Sequence, residues 1–110
     1  MPLFDQKRKL STMKRESLLK KISENRQLLK AYVIKGIRLF GSLARGEARA
    51  ESDVDLLVEF EPSAHIGMFE FSRLRHELSR LLGCEVDLAT PDALHKDMRE
   101  HILKEAIRAA

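Results

Sequence analysis

The amino-acid sequence predicts a single α/β (α+β) domain in which a small, mixed, three-stranded sheet packs against helices. Short runs rich in β-branched and apolar residues occur three times, as expected of strands. Longer segments between them carry apolar residues at helical spacing. Because 110 residues suffice for one compact core, we expect one domain spanning 1–110. Its elements should follow the order α-β-α-β-α-β-α, in which the second α is a turn or short helix.

The first helix is predicted over residues 11–30, STMKRESLLKKISENRQLLK, with Ser11 as its candidate N-cap. Its apolar stripe consists of Leu18, Ile22 and Leu29. Residues 1–12 are a basic N-terminal segment, and disorder is one expectation for them.

Two strands and a second long helix are predicted next. Residues 33–40, VIKGIRLF, form the first strand, which ends at Gly41, and residues 54–60 form the second. After a turn at Pro62–Ser63, a helix is expected between Gly67 and Gly83. Its apolar stripe consists of Phe71, Leu74, Leu78 and Leu81.

The last third of the chain predicts a strand followed by a helix. Residues 84–90, CEVDLAT, form the third strand. Thr90 and Pro91 suit a helix start, with Thr as the cap and Pro at the first position. The stripe of this helix consists of Leu94, Met98, Ile102 and Ala106.

Composition argues against several classes of protein. No apolar run approaches the roughly 18 residues that cross a bilayer, and the start MPLFDQKRKL lacks the apolar core of a signal peptide. Cys84 is the only cysteine, which fits a reducing cytoplasm, and we expect it to be a small core residue. Residues 1–30 are basic, with nine Lys/Arg and three Asp/Glu. This segment could contact nucleic acid, nucleotide phosphates or an acidic partner, but a solvated helix face is favoured. No aromatic residue occurs between Lys7 and Lys30, which weakens the case for single-strand binding.

Asp53 and Asp55 stand at the start of the apolar strand SDVDLLVEF, and Asp87 interrupts the third strand in the same way. Aspartate is depleted in strands and costly to desolvate unless it is paired or bound to a metal. Asp53 and Asp55, two residues apart, project from the same strand face. Three such carboxylates suit a hard cation such as Mg²⁺, which shares its oxygen ligands with substrate phosphates.

A Gly-Ser turn follows the first strand directly. Gly41 permits a tight turn and close approach of a ligand, and backbone N–H groups with the Ser42 hydroxyl suit phosphate oxygens. Arg45 either meets a phosphate or forms a surface ion pair. Such a turn alone is common, but next to three strand-borne carboxylates it indicates metal-assisted displacement at phosphorus.

The stretch GSLARGEARAESDVDLLVEF resembles the signature of the DNA polymerase β-like nucleotidyltransferase superfamily. The endings VDLATPDAL and MREHILKEAI make residues 14–108 similar to the minimal nucleotidyltransferase group, MNT or MntA-like antitoxins. The resemblance implies the nucleotidyltransferase fold. It also implies that Gly41, Ser42 and Arg45 bind the nucleotide, and that two Mg²⁺ ions are held by Asp53, Asp55 and Asp87. Asp87 would in addition help to deprotonate the attacking hydroxyl.

The resemblance further implies a cytoplasmic partner, a HEPN-domain toxin. Members of this group neutralise it by transferring AMP from ATP to one of its tyrosine hydroxyls, with release of pyrophosphate. Two other readings stay open: an antitoxin that captures its HEPN partner sterically, and a nucleic-acid-binding protein that uses its basic N-terminal helix. Neither membrane binding nor, under the first reading, nucleic-acid binding is expected. Base preference, acceptor residue, number of transferred nucleotides and oligomeric state do not follow from the sequence.

Several other residues are expected to be structural. The four histidines, which are not at metal-ligand spacing, should lie on the surface: His65, His76, His95 and His101. Tyr32 should pack at a helix–strand junction, and Glu59 should meet solvent cations or a basic side chain. Met68 and Phe69 could form part of an exposed partner surface, but core packing is the default expectation.

Overall fold

The computed structural model describes residues 3–46 and 53–110, with side chains from Lys14 onward. Part of the segment 1–12, and residues 47–52 within the stretch that resembles nucleotidyltransferases, therefore lie outside the described residues. The helices are α1 (Leu3–Glu24), α2 (Arg26–Ala31), α3 (Gly41–Ala44), α4 (Met68–Leu82) and α5 (Lys96–Glu105). The strands are β1 (Ile34–Phe40), β2 (Val54–Phe60), β3 (Val86–Ala89) and β4 (Ile107–Arg108), and a 3₁₀ turn spans Pro91–Ala93.

The four strands form one mixed sheet in the order β3-β2-β1-β4. β1 runs antiparallel to both β2 and β4, whereas β2 and β3 are parallel. A parallel pair needs a crossover connection, and α4 supplies it between β2 and β3. The predicted mixed α/β fold is confirmed.

One face of the sheet is packed against helices, as the alternation of each strand requires. Ile37 faces Val58, and Leu39 faces Leu56, in the β1–β2 register. These side chains are buried in one cluster with residues of α1 and α4, namely Leu18, Ile22, Leu74, Leu78 and Leu82. The opposite face carries the alternate residues of each strand, and Asp55 and Asp87 are among them. The helices thus cover one face of the sheet, and the candidate metal ligands Asp55 and Asp87 lie on the other, which we call the polar face.

The first predicted helix is in fact longer and broken. α1 begins at Leu3, so Ser11 is an interior residue and not a cap. The helix ends near Asn25, whose side chain caps α2 by accepting a hydrogen bond from the Leu28 N–H at 3.2 Å. Asparagine competes with the helical backbone in this way, so it ends one helix and starts another. Disorder within residues 1–12 stays a prediction.

The C-terminal prediction of one continuous helix is wrong. Thr90 makes no side-chain cap, and Pro91 opens only a 3₁₀ turn before α5 begins at Lys96. The chain then adds β4, a fourth strand that the sequence did not predict. Ala109 N–H donates to the Ile37 carbonyl at 2.8 Å, and this bond joins the chain end to the edge of β1. Two residues give no periodicity, so only the pairing partner defines this strand.

The core assignment of Met68 and Phe69 is also wrong, because their side chains are 85% and 84% exposed. Both lie in the first turn of α4, before its buried residues, which begin at Leu74. Tyr32 is buried as predicted, and burial raises the pKa of its hydroxyl, with the Glu77 carboxylate raising it further. Cys84 is a free, half-buried thiol packed against the core cluster.

Other predictions about single residues hold. All four histidines are exposed, and Glu59 forms an ion pair with Lys35 at 3.9 Å. α4 ends as predicted at Gly83, which has a left-handed backbone with φ of 70°. No helix of the described residues is long and apolar enough to cross a membrane.

Candidate active site

The Gly-Ser turn joins β1 to α3 at the edge of the polar sheet face. Gly41 has a left-handed backbone with φ of 76°, which reverses the chain directly after Phe40. Leu43 is buried in the core and anchors the turn. The first N–H groups of a helix have no acceptor within the helix itself. The turn therefore presents backbone donors, with the half-buried Ser42, beside the strand that carries the carboxylates.

Gly41 makes close contact with Asp55. A Cβ atom at position 41 would overlap Oδ2 of Asp55 and lie 3.0 Å from its Cγ and 3.3 Å from its Cβ. Any side chain there would displace the carboxylate, in addition to the strain of the left-handed backbone. The glycine is needed so that Asp55 can lie against the turn.

The strand register brings two predicted ligands together. Asp55 lies opposite Phe40 of β1 on one side and opposite Asp87 of β3 on the other. Opposed residues of adjacent strands project from the same face. Asp53 precedes β2 by one residue and is exposed. The carboxylates come from neighbouring strands, as the sequence predicted, although Asp53 is just outside the strand.

Electrostatics around Asp55 favour a bound cation. Burial raises the pKa of the Asp55 carboxyl, and the carboxylates of Asp87 and Asp53 raise it further, whereas Arg45 lowers it. Like charges held near one another make each ionised form less favourable. A cation bound near Asp55 would therefore stabilise its ionised form.

Arg45 contacts Glu105, a residue of α5 that is distant in sequence. Its Nη1 donates to Oε2 of Glu105 at 3.3 Å, and Oε1 of the same carboxylate lies 3.3 Å from Nε2 of His101. Arg15 of α1 donates to the Ala44 carbonyl at 3.2 Å, where α3 ends. These contacts position the turn from both sides. The sequence reasoning missed Arg15 and Glu105, because neither lies near the motif along the chain and a pairing across 60 residues leaves no local pattern.

The chemistry of the donor set fits Mg²⁺. All three candidate ligands are carboxylates, the hard oxygen donors that Mg²⁺ prefers, and the repulsion at Asp55 is of the kind that a cation relieves. Within residues 14–46 and 53–110, however, no three His, Cys, Asp or Glu side chains are grouped closely enough to hold an ion as they stand. Binding would therefore require the side chains of Asp53, Asp55 and Asp87 to converge. Their roles, and those of Gly41, Ser42 and Arg45, stay predictions.

A mixed sheet with a Gly-Ser turn beside strand-borne aspartates agrees with what the sequence resemblance implied. The family model described as a nucleotidyltransferase domain matches residues 15–109, and the chain belongs to this family. It is accordingly an enzyme of the nucleotidyltransferase type.

One relative and one solved structure are similar to this chain over most of its length. The chain is 36% identical over 94 residues to the protein adenylyltransferase MntA of Thermococcus cleftensis, covering 84% of this chain and 89% of the relative. A solved structure, provisionally described as a minimal nucleotidyltransferase, is 37% identical, with a TM-score of 0.65 and coverage of 91% and 93% of the two chains.

A more distant structure shares the fold. It holds a tri-AMPylated Shewanella oneidensis HEPN toxin in complex with an MNT antitoxin. The similarity is 17% identity with a TM-score of 0.60, covering 84% of this chain and 71% of the other. The predicted resemblance to minimal nucleotidyltransferases is thus confirmed.

Proposed function

We propose that the protein is a Mg²⁺-dependent adenylyltransferase that moves AMP from ATP to a tyrosine hydroxyl of a HEPN-domain toxin and thereby neutralises it. The observation that carries the proposal is the position of Asp55, against Gly41 and opposite Asp87. Support for the transferred group comes from the protein adenylyltransferase MntA, and support for the partner comes from the AMPylated HEPN toxin bound to its antitoxin. The half-buried thiol of Cys84 and the use of ATP agree with a cytoplasmic setting.

The residues divide the chemistry among them. The turn at Gly41 and Ser42 holds the outer phosphates of ATP through backbone N–H groups, and Arg45 adds a charged donor. Asp53 and Asp55 would hold two Mg²⁺ ions, and Asp87 would complete the shell of one of them. Bound Mg²⁺ supplies charge neutralisation at the phosphates and at the reacting oxygens.

The transfer step is a displacement at the α-phosphorus. The acceptor oxygen forms a bond to that phosphorus while the bond between the α-phosphorus and the bridging oxygen to the β-phosphate breaks. Pyrophosphate leaves with the electron pair, and Asp87 takes the proton of the hydroxyl. Positioning and electrostatics supply most of the acceleration, because the protein forms no covalent bond itself.

Transfer of label from α-³²P-ATP to a co-expressed HEPN protein tests the proposal. The wild type with Mg²⁺ should label the partner, and Asp55→Asn should abolish labelling. Asp97→Asn is the matched control, because Asp97 is an exposed carboxylate on α5, 93% accessible and outside the turn and the three predicted ligands. Tyrosine-to-phenylalanine variants of the partner then identify the acceptor.

The outcomes separate the candidate functions. Labelling that persists in Asp55→Asn contradicts the role of the carboxylates. If no label appears, yet both wild type and Asp55→Asn bind and silence the partner, the protein is a steric antitoxin. Binding to RNA or DNA that weakens steeply with salt, without labelling, would instead establish the nucleic-acid reading.

A further inference from the structure

The polar face of the sheet carries a second pair of like charges, and these are positive. Arg38 of β1 lies directly opposite Arg108 of β4 in the antiparallel register. Like charges directly opposite in a sheet are destabilising. The arrangement parallels the Asp55–Asp87 pair of opposite sign on the neighbouring strands.

Arg38 has no compensating partner among the described residues. Its side chain is half-buried, and within the described part of the chain it makes no hydrogen bond or ion pair. Arg108 donates from Nε to an oxygen of Ala110 at 3.2 Å. Burying part of a cation without an acceptor is unfavourable, so a ligand that supplies negative charge would relieve it.

The two arginines line a narrow cleft of about 120 Å³. Lys35 adds a third cation, and it already pairs with Glu59 of the lining at 3.9 Å. Leu57 and Pro91 contribute apolar surface to the walls of the cleft. At about 30 Å³ for each water in liquid, the cleft has room for one tetrahedral oxyanion or a few waters.

The cleft lies beside the candidate metal site. Phe40 is opposite Asp55, and Arg38 is two residues before Phe40, so Arg38 and Asp55 are diagonal neighbours on the same face. Such residues are about 7–8 Å apart, within reach of a long side chain. The planar guanidinium fork matches phosphate geometry. Arg38 is therefore the cleft residue that the register places nearest to the candidate metal site.

We propose that the Arg38–Arg108 cleft binds a phosphate group of one of the reactants. The group is either a phosphate of the nucleotide or the phosphodiester of an AMP already attached to the acceptor. Assignment to a reactant rests on the proposed function, but phosphate binding by the cleft does not. Its recognition elements are Arg38 and Arg108, with Lys35 at the rim.

Equilibrium binding without Mg²⁺ tests the cleft directly, with inorganic pyrophosphate, AMP and an AMP–tyrosine conjugate as probes and adenosine as the phosphate-free reference. Arg38→Gln and Arg108→Gln should each weaken at least one phosphate probe about tenfold, equivalent to about 1.4 kcal/mol. Arg38→Lys should retain part of the affinity, because it keeps the charge but loses the fork. Arg75→Gln is the matched control, since it removes an exposed arginine from α4.

The pattern among the probes identifies the source of the phosphate. Weaker pyrophosphate and AMP binding assigns the cleft to the nucleotide, whereas weakening confined to the conjugate assigns it to the modified acceptor. Arg38→Gln should unfold at the same or a higher urea concentration than wild type, because a repulsive pair has been removed. A structural role for Arg38 would lower this midpoint.

Phosphate affinities that are the same in Arg38→Gln, Arg108→Gln and Arg75→Gln would overturn the inference. Arg38-dependent binding in a protein that never labels a partner would leave the cleft established and remove the proposed transfer activity. If the wild type labels the partner but Arg38→Gln and Arg108→Gln bind phosphate as wild type does, the transfer activity is supported and the cleft is not a phosphate site.

Discussion

Substitution of Gly41 by alanine tests the structural basis of the site. The new Cβ would overlap Oδ2 of Asp55 and lie 3.0 Å from its Cγ. A non-glycine residue in the left-handed region costs about 1–2 kcal/mol, and overpacking adds about 1–3 kcal/mol. We therefore expect Gly41→Ala to lower the free energy of unfolding by about 2–5 kcal/mol, measured by urea denaturation without Mg²⁺.

Gly83→Ala is the matched control. Gly83 has nearly the same backbone angle, φ of 70°, but a Cβ there would meet nothing within 4 Å. This variant should show only the backbone cost of about 1–2 kcal/mol. The difference between the two alanine variants measures the contact with Asp55.

A double-mutant cycle assigns that difference to one side chain. With Asp55→Ala as the second change, the steric part of the Gly41→Ala cost should disappear. The coupling energy of the cycle should therefore be about 1–3 kcal/mol, within the range for residues in contact. Additive effects, or equal costs for the variants at positions 41 and 83, would refute the reasoning that the turn is glycine because Asp55 fills its side-chain space.

Three further predictions concern single side chains. Asp55→Asn should be more stable than wild type at neutral pH, because the folded-state pKa of Asp55 is raised. This advantage should shrink as the pH falls through that pKa, because the wild-type carboxyl then gains a proton. It should also shrink when Mg²⁺ is added. Arg45→Gln should raise the KM for ATP about tenfold through loss of a charged hydrogen bond, while the half-exposed pair with Glu105 limits the loss of unfolding free energy to less than about 1 kcal/mol. Phe69→Ser should change that free energy by no more than about 0.5 kcal/mol, because the ring is exposed.

Each of these has a clear contrary result. An Asp55→Asn advantage that grows on acidification would mean that the carboxyl is stabilised in its ionised form. An unchanged KM in Arg45→Gln would leave Arg45 with a structural role, to which its pair with Glu105 contributes. A loss of about 3–5 kcal/mol in Phe69→Ser, the cost of truncating a core aromatic, would place the ring in a packed environment. Urea denaturation and steady-state kinetics measure all three.

The elements around the site were predictable because their signals are local. β2 spans Val54–Phe60 as the apolar run predicted, and β1 ends at the Gly-Ser turn. Asp55 and Asp87 interrupt apolar strands, a pattern that is costly without a functional reason. Alternation along a strand then places each carboxylate on the opposite face from the core residues beside it.

Elements without a local signal were missed. Asn25 breaks the first helix because its side chain prefers to cap the next one. The last helix is split because Leu94 and His95 have extended backbones between the 3₁₀ turn and α5. Met68 and Phe69 are apolar, yet in the first turn of α4 their side chains are exposed.

The sequence by itself determined the family, the turn and the three carboxylates, because these depend on neighbouring residues and on the alternation of strands. Only the tertiary structure decided which charges face one another. Strand register places Asp55 beside Asp87 and Arg38 beside Arg108, and chain folding brings Glu105 to Arg45. Such pairings arise from hydrogen bonds between segments far apart in sequence, and no spacing along the chain encodes them.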